Sequence, residues 1–276
     1  MKSFSFPSKT FLVGEYAVLD RGDVDALLLA HPPLFRSTYG VSGTSFHPDS
    51  PAGLWLKEFP AKVAIGFQDP HEGKGGFGGS GAEFLAAWFA GKEPPANANE
   101  RQTFAWNAWQ SSRRFPGSGA DIFTQAFGVN RTSHFFLTVN FAQRTCDELP
   151  ACHTNGIFSL FHTGKKLATH EHMRPPTLPM AKLRELARST VDSFRRGDFT
   201  CLAQALQAYG NALASLGLLA SHSADALRAL EGHKHVLGSK GCGAMGSDVL
   251  LVAHTGSNLE NWARDYSLAP MGNFPV

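Results

Sequence analysis

Several groups of residues in this chain are of types and spacings that could do chemistry. The densest is Gly73-Lys74-Gly75-Gly76-Phe77-Gly78-Gly79-Ser80-Gly81, which runs directly into Ala82-Glu83-Phe84-Leu85-Ala86-Ala87-Trp88-Phe89-Ala90. Glycines this dense let the backbone take positive φ and approach a ligand closely, because no Cβ stands in the way. Feeding a helix N-terminus, such a turn offers unpaired N–H groups and the positive dipole end to an anion, most naturally phosphate. The competing reading is a surface loop that merely precedes a core helix. Lys9 and Glu15 form a second group, one charge on each side of the apolar Phe11-Leu12-Val13. A third is the lone Asp121 after Phe115-Pro116-Gly117-Ser118-Gly119-Ala120, held in a loop or capping the segment 122–127. A late glycine-rich loop, Gly238-Ser239-Lys240-Gly241-Cys242-Gly243-Ala244-Met245-Gly246-Ser247-Asp248, suggests two backbones meeting around one ligand.

Three familiar phosphate-binding folds are disfavoured. Gly76, Gly78 and Gly81 match G-x-G-x-x-G, but a dinucleotide fold needs a strand just before it, and Gln68-Asp69-Pro70-His71-Glu72 is not one. The lysine and hydroxyl of a P-loop do not follow the second glycine. Glu83 stands where the glycine loop of a protein kinase carries valine, and no catalytic-loop signature follows.

The elements that must position these groups follow from periodicity and punctuation. Residues 11–13 read as a strand that turns at Gly14, and 26–30 as another; 40–55 read as loops and short strands. The run 82–90 is a helix stopping at Gly91, and 99–113 a second helix with Phe104, Ala105, Ala108 and Trp109 on one side. Alternation over 135–141 predicts a half-buried strand, with 156–161 as its partner. Helices are expected over 180–196, from the Asp198 cap through Leu216, and over 224–230, with a buried strand at 249–253. His170 and His172 make an H-x-H pair without an evident third ligand, so satisfied or surface histidines are expected. Lys165 and Lys166 read as solvated turn lysines, with a basic pocket as the alternative.

At 276 residues the chain can form one large domain or two modest ones. Apolar residues are 43% and charged ones 17%, a globular balance, and 22 phenylalanines point to an aromatic interior. A formal charge of +2 argues against nucleic acid, which needs a concentrated basic face, so any phosphate binding is local. Four scattered cysteines lack zinc spacing and read as free, mostly buried thiols of a reducing compartment. Neither a signal peptide nor a membrane span is expected, which places the protein in the cytoplasm. A homodimer is left open.

Taken in order, these segments resemble the GHMP small-molecule kinases. Pro7-Ser8-Lys9-Thr10-Phe11-Leu12-Val13-Gly14-Glu15-Tyr16-Ala17-Val18-Leu19 is similar to the family's first motif, especially in its mevalonate kinase and phosphomevalonate kinase branches. Gly76-Phe77-Gly78-Gly79-Ser80-Gly81-Ala82 is similar to the phosphate-binding second motif, and 240–248 to the third. Gly117-Ser118-Gly119-Ala120-Asp121 resembles the segment that carries the catalytic aspartate. Two departures stand out: Gly79 replaces the first of two adjacent serines, and Met245 occupies a glycine position.

The resemblance implies an α+β, two-domain GHMP kinase fold. Residues 1–173 would form a ribosomal-protein-S5-like α/β domain with a left-handed βαβ crossover, and 174–276 a ferredoxin-like α+β domain. It also implies ATP and Mg²⁺ as cofactors and phosphoryl transfer to mevalonate or phosphomevalonate. Asp121 and Lys9 would be catalytic. Lys74, Gly75, Gly76, Gly78, Gly79, Ser80 and Gly81 would hold the triphosphate, with Ser80 also on the metal. Glu15, Tyr16, Ser118, Gly119, Gly243 and Ala244 would line the acceptor side. A catalytically silent metabolite-binding protein of the same fold stays open, as does a kinase for another alcohol such as homoserine.

Overall fold

A computed structural model describes residues 2–20, 23–40, 43–111, 118–152, 154–165 and 180–276. Gly117, Lys166, His170 and His172 therefore lie outside the described residues.

Two antiparallel sheets carry the fold. The first contains β1 (Ser3–Val13), β2 (Asp25–Tyr39), β3 (Ile65–Gln68), β4 (Phe135–Asn140) and β5 (Thr145–Leu149), in the order β1-β2-β4-β5 with β3 also on β2. The second runs β7-β8-β6-β9, from β6 (Ile157–His162), β7 (Val236–Cys242), β8 (Val249–His254) and β9 (Ala269–Pro275). Helices α1 (Pro51–Glu58), α2 (Gly79–Gly91), α3 (Ala98–Ser111) and α4 (Ala120–Phe127) precede β4, and α5 (Met180–Arg195), α6 (Phe199–Ser215) and α7 (Ser221–Arg228) precede β7. A short α8 (Glu260–Asp265) precedes β9.

Most expected helices form where periodicity places them, and Asp198 caps α6 by accepting from the Cys201 N–H at 2.9 Å. The differences have physical reasons. Pro51–Glu58 is a helix rather than loop and strand, started by Ser50, which accepts from Gly53 N, and by a proline in the first turn. On α3 the buried residues are Arg101, Gln102, Ala105 and Trp109, so Phe104 points outward at 56% exposed. The Arg101 guanidinium replaces an apolar residue there by donating to the Ala126 and Phe127 carbonyls at the end of α4.

β4 is buried along its whole length, not on one face. Phe135, Leu137 and Val139 pack with Ala120 and Phe123 of α4, while Phe136 meets Phe194 of α5 at 4.8 Å on the other side. Its partners are β2 and β5, not 156–161. That segment, β6, lies between β8 and β9, so strands of the second sheet begin before residue 174. Residues 238–242 are likewise part of β7 rather than a loop; the turn is confined to 243–248.

One continuous apolar cluster joins the sheets, running from Phe6, Leu12 and Leu29 through Phe84 and Phe136 to Phe158, Tyr209 and Leu251. No helix among the described residues is long and apolar enough to cross a membrane.

Candidate active site

The glycine loop is pinned by its one large side chain. Phe77 is 1% exposed, and its ring stacks on His71 at 4.0 Å with His162 of β6 at 5.5 Å. His71 is fixed in turn by its Nε2 to Ser8 Oγ at 2.6 Å, and the Ser8 hydroxyl donates to the Pro33 carbonyl. With Phe77 anchored, the flanking glycines take left-handed backbone: φ is +91° at Gly76 and +86° at Gly78. At these positions a side chain is strained. Gly78 is the N-cap of α2 without any side-chain hydrogen bond; its carbonyl accepts from Gly81 N–H, and the Gly79 and Ser80 amides open the helix from a cap made of main chain.

The same loop meets β1 directly: the Lys9 N–H donates to the Phe77 carbonyl at 3.1 Å. The Lys9 ammonium lies over the Phe11 ring at 4.4 Å. Burial pulls its pKa below the usual lysine value, while the Asp121, Glu15 and Asp248 carboxylates oppose that and support the charge. Three acidic residues from three separate segments thus lie within electrostatic reach of one lysine.

Asp121 is neither in the loop nor the cap of α4: it lies in the helix's first turn, after Gly119 as N-cap at φ +72°. Its Oδ1 accepts from Ile122 N at 3.1 Å. Its Oδ2 is so close to α2 that a Cβ built on Gly81 would lie 2.7 Å from it. The carboxylate is therefore set against the first turn of the helix that follows the glycine loop.

The third segment closes on the other side of the loop. A Cβ on Gly76 would lie 2.8 Å from Asp248 Cβ, and one on Gly243 would lie 2.7 Å from Asp248 Oδ2. Met245 adopts the left-handed region at φ +54°, and its N–H donates to the Tyr16 hydroxyl at 2.9 Å. Glu15 accepts from the buried Lys240 ammonium through Oε1, and its backbone carbonyl accepts from Tyr209 OH at 2.5 Å. Burial raises the Glu15 pKa, and pairing with Lys240 works against that shift. Cys242 is buried beside Lys240, and burial pushes its thiol up to about 11.

The structure thus gathers Lys9, Glu15, Tyr16, Gly76, Gly78, Gly81, Asp121 and Gly243 around one locus. Gly79 and Ser80 share the first turn of α2, and Ala244 follows Gly243. Ser118 and Gly119 face elsewhere in part: Ser118 Oγ accepts from Ala120 N at 3.3 Å, and a Cβ on Gly119 would strike the Trp106 indole. Lys74 has His71 and His162 as its electrostatic neighbours. Residues missed from sequence are Gln125, Lys240, His71 and His162. Gln125 left a local signal, four residues beyond Asp121 on a helix, and Lys240 opens the third motif.

No cluster of three or more His, Cys, Asp or Glu side chains suited to a metal occurs among the described residues. Mg²⁺ needs less, because it keeps several waters and takes one or two protein oxygens beside phosphate. The exposed Ser80 and the Asp121 carboxylate against the neighbouring Gly81 are oxygen donors that fit it.

No protein-family model and no curated protein sequence matches the chain. Solved structures do. Phosphomevalonate kinase of Streptococcus pneumoniae, in complex with phosphomevalonate and AMPPNP, superposes with a TM-score of 0.72 over 100% of both chains at 13% identity. Mevalonate kinase of Methanococcus jannaschii gives a TM-score of 0.74 at 12% identity, covering 100% of this chain and 98% of that one. Lactococcus lactis galactokinase complexed with galactose gives 0.68 at 10% identity, over 96% and 88%. These are GHMP kinase structures, and the chain has their fold along its whole length.

Proposed function

We propose that this chain is an ATP-dependent phosphotransferase for a small alcohol or phosphomonoester, with mevalonate or phosphomevalonate as the acceptor. The observation that carries this reading is the half-buried Lys9. Its backbone is bonded to the glycine loop and its ammonium shares a charge field with Asp121, which itself abuts the first turn of α2. Phosphoryl transfer asks little covalent help of a protein; it needs in-line placement and stabilisation of charge on the transferred group.

The amides of residues 76–81 would hold the terminal phosphates, with Lys74 at the loop's edge. Ser80 would reach Mg²⁺ or phosphate, and the ion would supply charge neutralisation when bound. Lys9 would neutralise the γ-phosphoryl group from the acceptor side. Asp121 would orient an acceptor hydroxyl and accept its proton. For a phosphomonoester, already a competent nucleophile, Asp121 would chiefly position Lys9. Glu15, Tyr16, Ser118, Gly119, Gly243 and Ala244 would border the acceptor. The Glu15-Tyr16 pair and the Asp248 ending of the third segment favour phosphomevalonate over mevalonate, and a cytoplasmic protein suits both substrates.

A second reading, a silent metabolite-binding protein, is favoured by Gly79 and by Met245 in left-handed backbone. A coupled ADP-release assay over mevalonate, phosphomevalonate and homoserine separates the two, run beside thermal unfolding with Mg-ATP. Turnover of one acceptor with a rise in melting temperature supports the kinase. A shift from a metabolite without turnover supports the silent protein, and neither effect sinks both.

A further inference from the structure

We propose that Gln125 is a positioning residue of this site. Its carboxamide ties the N-cap of the glycine loop to the helix that carries Asp121, and so sets the separation between phosphate cradle and carboxylate. The inference rests on the phosphotransfer reading above.

Asp121 and Gln125 are four residues apart on α4 and therefore share a face. Both point at the same two glycines. Gln125 Nε2 donates to the Gly78 carbonyl at 3.0 Å, the carbonyl that also accepts from the amides of Gly81 and Ala82 at the start of α2. Since the Gly78 cap has no side-chain hydrogen bond of its own, this amide is a restraint brought from another helix. Gln125 Oε1, by contrast, is buried without a hydrogen-bond partner among the described residues. Burying an unpaired carbonyl costs free energy, which an apolar side chain of similar size would avoid. The polar end is retained for its donor.

Space leads to the same assignment. A Cβ on Gly81 would lie 2.8 Å from Gln125 Oε1 and 2.7 Å from Asp121 Oδ2. One on Gly78 would lie 2.9 Å from Gln125 Nε2 and 3.1 Å from Asp121 Cβ. The loop has glycine at 78 and 81 because the polar face of α4 occupies the room that side chains would need. With glycine also at 79, the first turn of α2 has no side-chain hydroxyl ahead of Ser80, and the Gln125 amide does the holding.

The test compares wild type with Gln125→Ala, Gln125→Glu, Gly81→Ala and the double variant Gly81→Ala/Gln125→Ala. It measures AMPPNP affinity with Mg²⁺ by calorimetry, kcat, acceptor KM and melting temperature. Gln125→Ala is expected to weaken AMPPNP and lower kcat about tenfold each, the worth of one restraining hydrogen bond, with acceptor KM unchanged. Gln125→Glu keeps the volume but cannot donate to Gly78 and adds charge beside Asp121, so it should lose more. Gly81→Ala should lose affinity that the double variant partly recovers, because removing the carboxamide opens the space. AMPPNP affinity and kcat within twofold of wild type in both Gln125 variants, whatever their melting temperatures, overturn the proposal, as does strict additivity in the double variant. A wild type that binds no AMPPNP overturns the phosphotransfer reading itself, a result distinct from unaffected Gln125 variants.

Discussion

Lys240 and Glu15, 225 residues apart in the chain, form a hydrogen-bonded ion pair in which the lysine is fully buried and the carboxylate 7% exposed. It joins the turn after β1 to strand β7 and so ties the first sheet to the second. Glu15 Oε2 has no hydrogen-bond partner among the described residues, which leaves the pair imperfectly satisfied. Breaking one side strands a buried charge, whereas removing both need not. Lys240→Met or Glu15→Gln alone is expected to cost about 3–5 kcal/mol, and the double variant clearly less than their sum. Urea unfolding of the three variants measures this; additive losses would mean the two side chains do not act as a pair.

Lys9→Ala and Asp121→Ala test the division of labour at the site. Each should lower kcat by roughly 10²–10⁴-fold, the range for a lost proton-handling or charge-stabilising group. AMPPNP affinity should stay near wild type, since the loop amides remain. Equal loss of nucleotide affinity in both variants would show that the roles are wrongly assigned.

The half-buried Lys9 should also give the pH profile a distinctive alkaline limb. Burial places its pKa below the ordinary 10.5, so activity falls with rising pH before a solvated lysine would lose its proton. Asp248 is among the carboxylates that support the charge. Asp248→Asn should therefore move that limb to lower pH, and a limb that stays put would remove Asp248 from the field around Lys9.

Gly76 combines a left-handed φ of +91° with Asp248 Cβ 2.8 Å from the added carbon. Gly76→Ala should destabilise the fold by about 1–3 kcal/mol through backbone strain and crowding. It should also weaken AMPPNP, because the loop must shift away from the third segment. Unchanged affinity in a folded variant would argue against a phosphate cradle there.

Acid should destabilise the protein through His31. Its ring is fully buried, Thr10 Oγ1 lies 3.0 Å from Nε2, and burial lowers its pKa to about 4 from 6.5. The unfolded chain binds this proton near pH 6.5 and the folded one does not until about 4, so stability is full above 6.5 and falls as pH drops through that window. The loss is on the order of 3 kcal/mol by pH 4 from this residue. Urea unfolding at pH 7 and 4.5 reads it, and His31→Gln should flatten the slope between the two.

The parts legible in sequence are those whose causes are local. Glycines that must take positive φ, at 76, 78 and 119, announce themselves by type, and the helices 180–195 and 199–215 by the spacing of their apolar residues. The order of Lys9, the glycine loop, Asp121 and the late glycine segment was likewise readable along the chain. Pairing was not, because a strand's alternation says nothing about which edge it meets. Hence the sequence pairs 156–161 with β4 although it sits in the other sheet, and reads 238–242 as loop although glycines there let β7 lie close under α6.

What tertiary structure alone decided is the convergence. The charge field of three carboxylates around Lys9, the Lys240–Glu15 pair and the clasp of Gln125 on Gly78 each depend on residues far apart in sequence reaching one place. Sequence supplied the groups with the chemistry; packing set their charges and distances, because desolvation and Coulomb forces depend on neighbours in space.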